Sequence, residues 1–327
     1  MFLGTIGAAT ANLSIIFYDT MGPALVARFL TGAFLAGVYP SALKTMSGWF
    51  REGRGLALGV MIGSLTLGSA LPHLINALGG LQWQLTFIVV SVLTVIGGII
   101  ADRICCDGPY MVPRAKFDRS MLSAVLRDRQ FRLASLGYFG HMWELYAMWA
   151  WIVVFYGDVF ASARVASLAA FLVIGAGALG SVYAGRMSDR WGRSDAAALA
   201  MRWSAAVSVV AGFLIDAPWP IVLGIGLFWG FWVVADSAQF STIVTEVVDP
   251  KIVGTALTVQ LATGFILTVF TIFLVPIIRD SYGWGWAFFL LAPGPAMGAW
   301  AMRALRIGPR RQDEPEPEPE VWVSPFF

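Results

Sequence analysis

About ten runs of roughly 20 mostly apolar residues follow one another along the chain, and this pattern constrains the fold most. Each run is long enough to cross a bilayer as one α-helix. Only 13% of the residues are charged, against about 25% in an ordinary soluble domain. We therefore predict an all-α, polytopic membrane protein. The predicted helices are Met1–Phe17, Pro23–Met46, Leu56–Leu78, Leu85–Ile100, Leu133–Tyr156, Val165–Tyr183, Ala196–Ile215, Pro220–Ile243, Ile252–Ile278 and Trp286–Met302.

The basic residues are distributed unevenly between the two ends of these helices. If the first helix runs outward, all of the 22 lysines and arginines except Arg28, Arg164 and Arg279 fall on one side. Lys and Arg collect in the cytoplasmic loops of membrane proteins. The asymmetry predicts a multi-pass protein of the plasma (inner) membrane whose C-terminus is cytoplasmic.

One long gap between apolar runs divides the chain unequally. Residues 101–132 carry mixed charge and no apolar run, and we expect a cytoplasmic loop there. We predict an N-terminal bundle over 1–100 and a C-terminal six-helix bundle over 133–303. The tail 304–327 alternates Glu with Pro and is predicted to be disordered.

A short basic gap after the sixth run matches the pattern G-x-x-x-D-R-x-G-R. Its defining residues are Gly185, Asp189, Arg190, Gly192 and Arg193. The glycines let the backbone turn tightly, and the aspartate can meet the positive end of a neighbouring helix and the guanidinium groups. We expect a loop that biases the protein's conformation, although a plain polar turn would also fit.

This loop resembles the cytoplasmic signature of the major facilitator superfamily of secondary transporters. The second run is similar to that family's fourth helix, with Arg28 four residues before Gly32, and its exit Trp49–Gly55 is similar to the loop that follows. The resemblance implies two six-helix bundles, so the chain is expected to lack the first two helices. A complete ten-helix protein is the alternative. The hexads Gly55–Val60 and Gly254–Val259 share G-x-A-L-x-V, as duplicated halves would.

Ionisable residues inside apolar runs are the candidate solute and proton sites. Glu144 lies at the centre of its run, and His141, one turn earlier on the same face, could share a proton with it. Asp236 and Gln239 form a second polar face, and Arg28 could pair with an acid or attract an anion. The aromatic candidates are Tyr138 and Trp149. Helix–helix hydrogen bonding is the alternative role for these polar residues.

These features predict a secondary transporter of a small solute that works by alternating access and is coupled to protons. Symport and efflux both stay open, as do organic acids, sugars and amphipathic compounds as substrates. A transport-inactive fragment acting as a sensor or partner is an alternative, and a membrane enzyme using His141 and Glu144 is another. We expect a monomer in the lipid bilayer, with no cofactor, metal or nucleic acid. Cys105 and Cys106 are interpreted as an incidental pair.

Overall fold

A computed structural model describes residues 1–50, 52–106, 108–110, 125–248 and 252–305. Within these ranges the regular secondary structure is helical, with no strand. The middle of the predicted loop 101–132 and nearly all of the predicted tail lie outside the described residues. The all-α prediction is confirmed.

Among the described residues, the α-helices fall into a group of five that ends at Ile104 and a group of eight that begins at Arg129. The first group is α1 (Phe2–Ser14), α2 (Met21–Leu35), α3 (Tyr39–Trp49), α4 (Arg54–Ala77) and α5 (Trp83–Ile104). The second group is α6 (Arg129–Val159), α7 (Ala163–Trp191), α8 (Arg193–Val210), α9 (Trp219–Ala235), α10 (Ser237–Val247), α11 (Val253–Tyr282), α12 (Trp284–Phe289) and α13 (Pro293–Leu305). Short 3-10 turns continue α1 over Ile15–Phe17 and α8 over Ala211–Leu214.

Seven helical segments of the described chain are long and apolar enough to cross a membrane. Two of them join consecutive helices, α2 with α3 and α9 with α10. The predicted first run forms the shorter apolar helix Phe2–Phe17. Helix α6 is 31 residues long, but its interior carries His141 and Glu144, which lower its hydropathy. Each predicted run therefore corresponds to helix in the structure.

Three of the predicted runs are broken rather than continuous. The second run breaks at Ala36–Val38, where the ring of Pro40 cannot supply the backbone donor that an uninterrupted helix needs. The eighth run breaks at Asp236, and the last breaks just before Pro293. Apolar content alone does not report such breaks, because a broken helix and a straight one have the same hydropathy.

The most extensive helix–helix interface in the described chain joins α4 to α7. Small residues make this close approach possible. A methyl group on Gly59 would lie 2.5 Å from the Ser181 carbonyl oxygen, and one on Gly63 would lie 3.1 Å from that of Ala178. The Ser181 hydroxyl also donates a 3.0 Å hydrogen bond to the Gly59 carbonyl. The two groups of helices therefore meet backbone to backbone along this line.

Candidate functional site

Glu144 lies buried near the middle of α6, where both of its carboxylate oxygens have donors. The Ser204 hydroxyl of α8 donates to Oε2 at 2.7 Å, and the indole N–H of Trp229 of α9 donates to Oε1 at 2.8 Å. The Trp229 ring is held in turn against Phe288, with ring centroids 4.9 Å apart. Three helices thus hold this carboxyl group away from water. The two donors supply the hydrogen bonds that a buried carboxylate requires.

His141 has a different partner from the one the helix spacing suggested. Its Nδ1 atom lies 2.8 Å from Oδ1 of Asp236, within ion-pair distance but not aligned for an in-line hydrogen bond. Both side chains are buried. The structure therefore pairs His141 with Asp236, while Glu144 is bound by Ser204 and Trp229. The spacing within α6 could not reveal this, because Asp236 belongs to another helix pair.

Asp236 occupies the break between α9 and α10, so the His141–Asp236 pair lies where regular helix is interrupted. Phe240 packs against this pair, with its ring centroid 5.5 Å from that of His141 and 6.0 Å from that of Tyr138. In membrane transporters, broken helices place polar groups at the depth where solute and coupling ions bind. The predicted residues Tyr138, His141 and Asp236 are thus brought together.

Two fully buried glutamines have no hydrogen-bond partner at either side-chain amide atom. They are Gln239 in α10 and Gln260 in α11. Gln260 lies one turn before Gly264, whose missing Cβ lets the Tyr138 ring approach, so it belongs to the α11 face that packs on α6. The indole N–H of Trp149 also lacks a partner. A buried polar group left unpaired costs about 1–3 kcal/mol, so a hydrogen-bonding partner at these atoms would stabilise the protein.

Sequence reasoning missed Ser204, Trp229 and Gln260. Gln260 is a lone amide within an apolar run, and that contrast could have identified it. Ser204 and Trp229 carry no comparable signal, because Ser and Trp are ordinary in membrane helices. Only the packing of α8 and α9 against α6 shows that both contact Glu144.

Arg28 lies apart from this cluster, in α2. Its Nη1 donates to Oδ1 of Asn12 at 3.2 Å, and Asn12 donates to the Ser91 hydroxyl at 3.0 Å. The guanidinium also lies 4.8 Å above the Phe87 ring centroid. The partners of Arg28 among the described residues are thus an amide and an aromatic ring. This chain of contacts ties α2 to α1 and α5.

The loop signature lies where α7 ends and α8 begins, against the start of α4. Asp189 accepts hydrogen bonds from the backbone N–H groups of Gly55 at 2.9 Å and Leu56 at 3.0 Å. These are free donors at the N-terminus of α4, which also carries partial positive charge. Gly192 ends α7 with φ of 98°, a conformation that favours glycine.

The other signature residues surround this contact. The backbone of Gly185 touches that of Gly55, a contact that a side chain on either residue would prevent. Arg193 donates from Nε to Glu246 at 2.7 Å, and its Nη1 lies 4.0 Å from Asp189. Arg190 is exposed. The loop therefore links α7 and α8 to α4 and to the end of α10.

The family model and the curated relatives that match this chain all belong to one group of membrane transporters. The family model described as Major Facilitator Superfamily matches residues 1–129 and 134–326. "MFS transporter asaE" of Aspergillus flavus is 25% identical over 225 residues, covering 67% of this chain and 48% of that protein. "MFS-type transporter pytF" of Aspergillus terreus is 24% identical over 184 residues, covering 52% of this chain and 58% of that protein. The chain spans about half the length of these curated relatives.

Proposed function

Because the chain belongs to the Major Facilitator Superfamily, a family of membrane transporters, we propose that it carries a small solute across the membrane by alternating access, driven by protons. The observation that carries this proposal is the buried carboxyl of Glu144, bound by one donor at each oxygen. An ionisable group in the membrane interior is costly, and such groups typically mark proton or solute pathways. The family relationship favours transport over the enzyme alternative.

The proton step is assigned to Glu144. When the site opens to the proton-rich side, Glu144 takes up a proton and its charge disappears; when the site opens to the other side, the proton leaves. Ser204 and Trp229 stabilise the ionised form by donating to its oxygens. Release of the proton is therefore possible without leaving an unsatisfied charge in the protein.

Solute binding is assigned to the neighbouring polar residues. The His141–Asp236 pair and Gln239 lie at and beyond the α9–α10 break, and Tyr138 packs beside them. Gln239, Gln260 and Trp149 offer hydrogen-bonding atoms that the protein itself leaves unpaired. Arg28 is assigned to a separate position, where its charge could attract an anionic solute towards the protein.

The two groups of helices would rock against each other along the α4–α7 line. The moving bundles are residues 1–100 and 133–303. The hydrogen bonds from Gly55 and Leu56 to Asp189 hold the two bundles together at one end of the α4–α7 interface. The loop and the C-terminus face the cytoplasm, where the basic residues collect. The working unit is a monomer in the bilayer, without a cofactor.

The test is uptake by the full-length protein in proteoliposomes with an imposed pH gradient. The panel contains radiolabelled organic acids, sugars and amphipathic compounds, and protein-free liposomes are the control. We expect at least one solute to accumulate above its equilibrium level, and a protonophore to abolish that accumulation. Solute movement down its own gradient at a rate that does not depend on the pH gradient would refute proton coupling. No movement of any solute would favour a transport-inactive sensor or partner.

A further inference from the structure

An exposed arginine lies within α8, a helix that belongs to one of the segments long and apolar enough to cross the membrane. Arg202 is nine residues after Arg193, the first residue of α8. At 1.5 Å per residue, its backbone lies about 14 Å along the helix from the end predicted to be cytoplasmic. A charge at that depth is costly unless it reaches the interface or meets an opposite charge.

The side chain of Arg202 runs towards the cytoplasmic end of the helix. Its Nε donates to the Ala198 carbonyl at 3.0 Å, one turn back along α8. In this direction a long basic side chain reaches the headgroup region while its methylene groups stay among apolar neighbours. The Ala198 carbonyl is a neutral acceptor, so this contact leaves the positive charge of Arg202 unbalanced.

A second arginine lies on the same surface. Arg303 is exposed two residues before the end of α13, and its guanidinium is close enough to that of Arg202 for the two charges to repel each other. Asp195, exposed in the first turn of α8, attracts Arg202. Among the described residues, neither arginine forms an ion pair with a carboxylate. These three groups together leave a net positive charge.

Exposed tryptophans flank the two arginines. Trp203 follows Arg202 directly, and Trp300 lies one turn before Arg303 on the same face of α13. Tryptophan is enriched where membrane helices meet the headgroup layer. The surface formed by α8 and α13 thus combines positive charge with aromatic rings.

This surface belongs to the second bundle, whose six predicted helices all fall within the described residues. There, α8 and α13 pack on each other and on further helices of the second group, and Met201 fills the space beside Gly298 where the two helices meet. The two helices that the family resemblance expects in addition belong to the first bundle. Their absence therefore does not account for the exposure of Arg202 and Arg303.

We propose that Arg202 and Arg303 bind the phosphate of an anionic phospholipid in the cytoplasmic leaflet, whose acyl chains lie along α8 and α13 beside Trp203 and Trp300. Guanidinium groups bind phosphate oxygens through paired hydrogen bonds, and basic surfaces between membrane helices on the cytoplasmic side bind anionic headgroups. The phosphate offsets the repulsion between the two arginines. A zwitterionic lipid carries an ammonium group that cancels this charge, so the surface favours an anionic lipid.

The bound lipid would join two helices that surround Glu144. Ser204, two residues after Arg202 and on the other side of α8, donates to the Glu144 carboxylate. Helix α13 packs on α6, which carries Glu144, and the backbones of Gly294 and Gly140 touch there. A lipid that holds α8 to α13 thus stabilises the arrangement of helices around this carboxylate. Its effect on transport rests on the proposed function.

Lipid binding is measured by native mass spectrometry on the full-length protein in detergent, with equimolar dioleoylphosphatidylglycerol and dioleoylphosphatidylcholine. We expect the wild type to retain phosphatidylglycerol several-fold over phosphatidylcholine, and Arg202→Gln/Arg303→Gln to lose that preference. Arg186→Gln is the matched control, because Arg186 is also an exposed arginine near the cytoplasmic end of a membrane helix but lies on α7. A wild type without the preference, a double variant that keeps it, or an equal loss in Arg186→Gln would each overturn the proposal.

Further measurements separate the lipid site from other causes. Arg303→Gln alone, near a helix end, should lower the preference even if the double variant does not fold, and Arg202→Lys/Arg303→Lys should keep most of it. Displacement of phosphatidylglycerol by inorganic phosphate would show that a free anion is the ligand and would overturn the lipid assignment. In proteoliposomes, added phosphatidylglycerol should speed uptake by the wild type but not by the double variant. Absence of all uptake would count against the proposed transport function, whereas absence of the lipid preference counts against this site.

Discussion

Two carboxylates lie buried in the second group of helices, and their partners differ in kind. Glu144 accepts hydrogen bonds from the neutral donors Ser204 and Trp229, whereas Asp236 lies within ion-pair distance of His141. A carboxyl with neutral donors can gain or lose a proton without separating an ion pair. Asp236 would have to give up its histidine partner. On this difference we propose proton transfer for Glu144 and a structural or solute-orienting role for the pair.

At the residue scale, we predict that His141 and Asp236 are energetically coupled. Asp236→Asn and His141→Ala should each lower the thermal unfolding temperature of the detergent-solubilised protein, since each leaves a buried polar partner unsatisfied. The double variant should be less destabilised than the sum of the single variants, by about 0.5–3 kcal/mol. Asp216→Asn, in an exposed turn, serves as the control for loss of a carboxylate. Strictly additive effects would mean that the two residues do not interact.

The sequence identified most of the polar residues of the site but not their pairing. Glu144, His141 and Asp236 stand out because ionisable groups are rare in apolar runs. Their partners lie far along the chain: Ser204 is 60 residues from Glu144, and Trp229 is 85 residues away. Periodicity reports only which residues share a face of one helix, so contacts between helices had to come from the structure.

At the scale of helices, the start of α4 depends on a charged cap from another part of the chain. Asp189 binds two backbone N–H groups there, and a negative charge at a helix N-terminus contributes about 0.3–1 kcal/mol, or up to ~2 kcal/mol when partly buried. Because the cap crosses from α7 to α4, it stabilises whichever conformation keeps these helix ends together.

We predict that Asp189→Asn slows transport while leaving equilibrium solute binding nearly unchanged. The asparagine keeps an acceptor but loses the charge, so the balance between conformations shifts without any change near the buried polar cluster. Initial uptake rates and solute affinity should be measured for the same preparation. Asp195→Asn is the control, since Asp195 lies exposed in the first turn of α8. An unchanged transport rate in Asp189→Asn would mean that the loop signature serves only as a polar turn between two helices.

The α4–α7 interface gives a second prediction at this scale. Gly59→Val places methyl groups against the Ser181 carbonyl, so the helices must separate at that level. Overpacking of this kind costs about 1–3 kcal/mol. We expect a lower unfolding temperature and reduced transport. A Cβ atom added at Gly68 on the same helix meets no atom within 4 Å, so Gly68→Val should behave like the wild type. If both variants were equally stable, the close contact would not be required.

For the whole molecule, the apolar runs predicted which parts of the described chain form helix and in what order, because a bilayer imposes a minimum helix length. They did not predict the breaks at Ala36–Val38, at Asp236 and before Pro293. Proline follows two of those breaks, as Pro40 and as Pro293. The remaining break supplies Asp236 to the polar cluster, so the feature that hydropathy cannot detect is also part of the candidate site.

Glu144 is the residue that we propose couples proton movement to solute movement. It is tested most directly by comparing gradient-driven accumulation with solute counterflow in proteoliposomes that contain the wild type, Glu144→Gln or Asp216→Asn. Counterflow needs no net proton transfer, whereas accumulation does. We predict that Glu144→Gln loses accumulation but keeps counterflow, and that Asp216→Asn keeps both. Accumulation by Glu144→Gln at the wild-type rate would show that Glu144 does not carry the coupling proton.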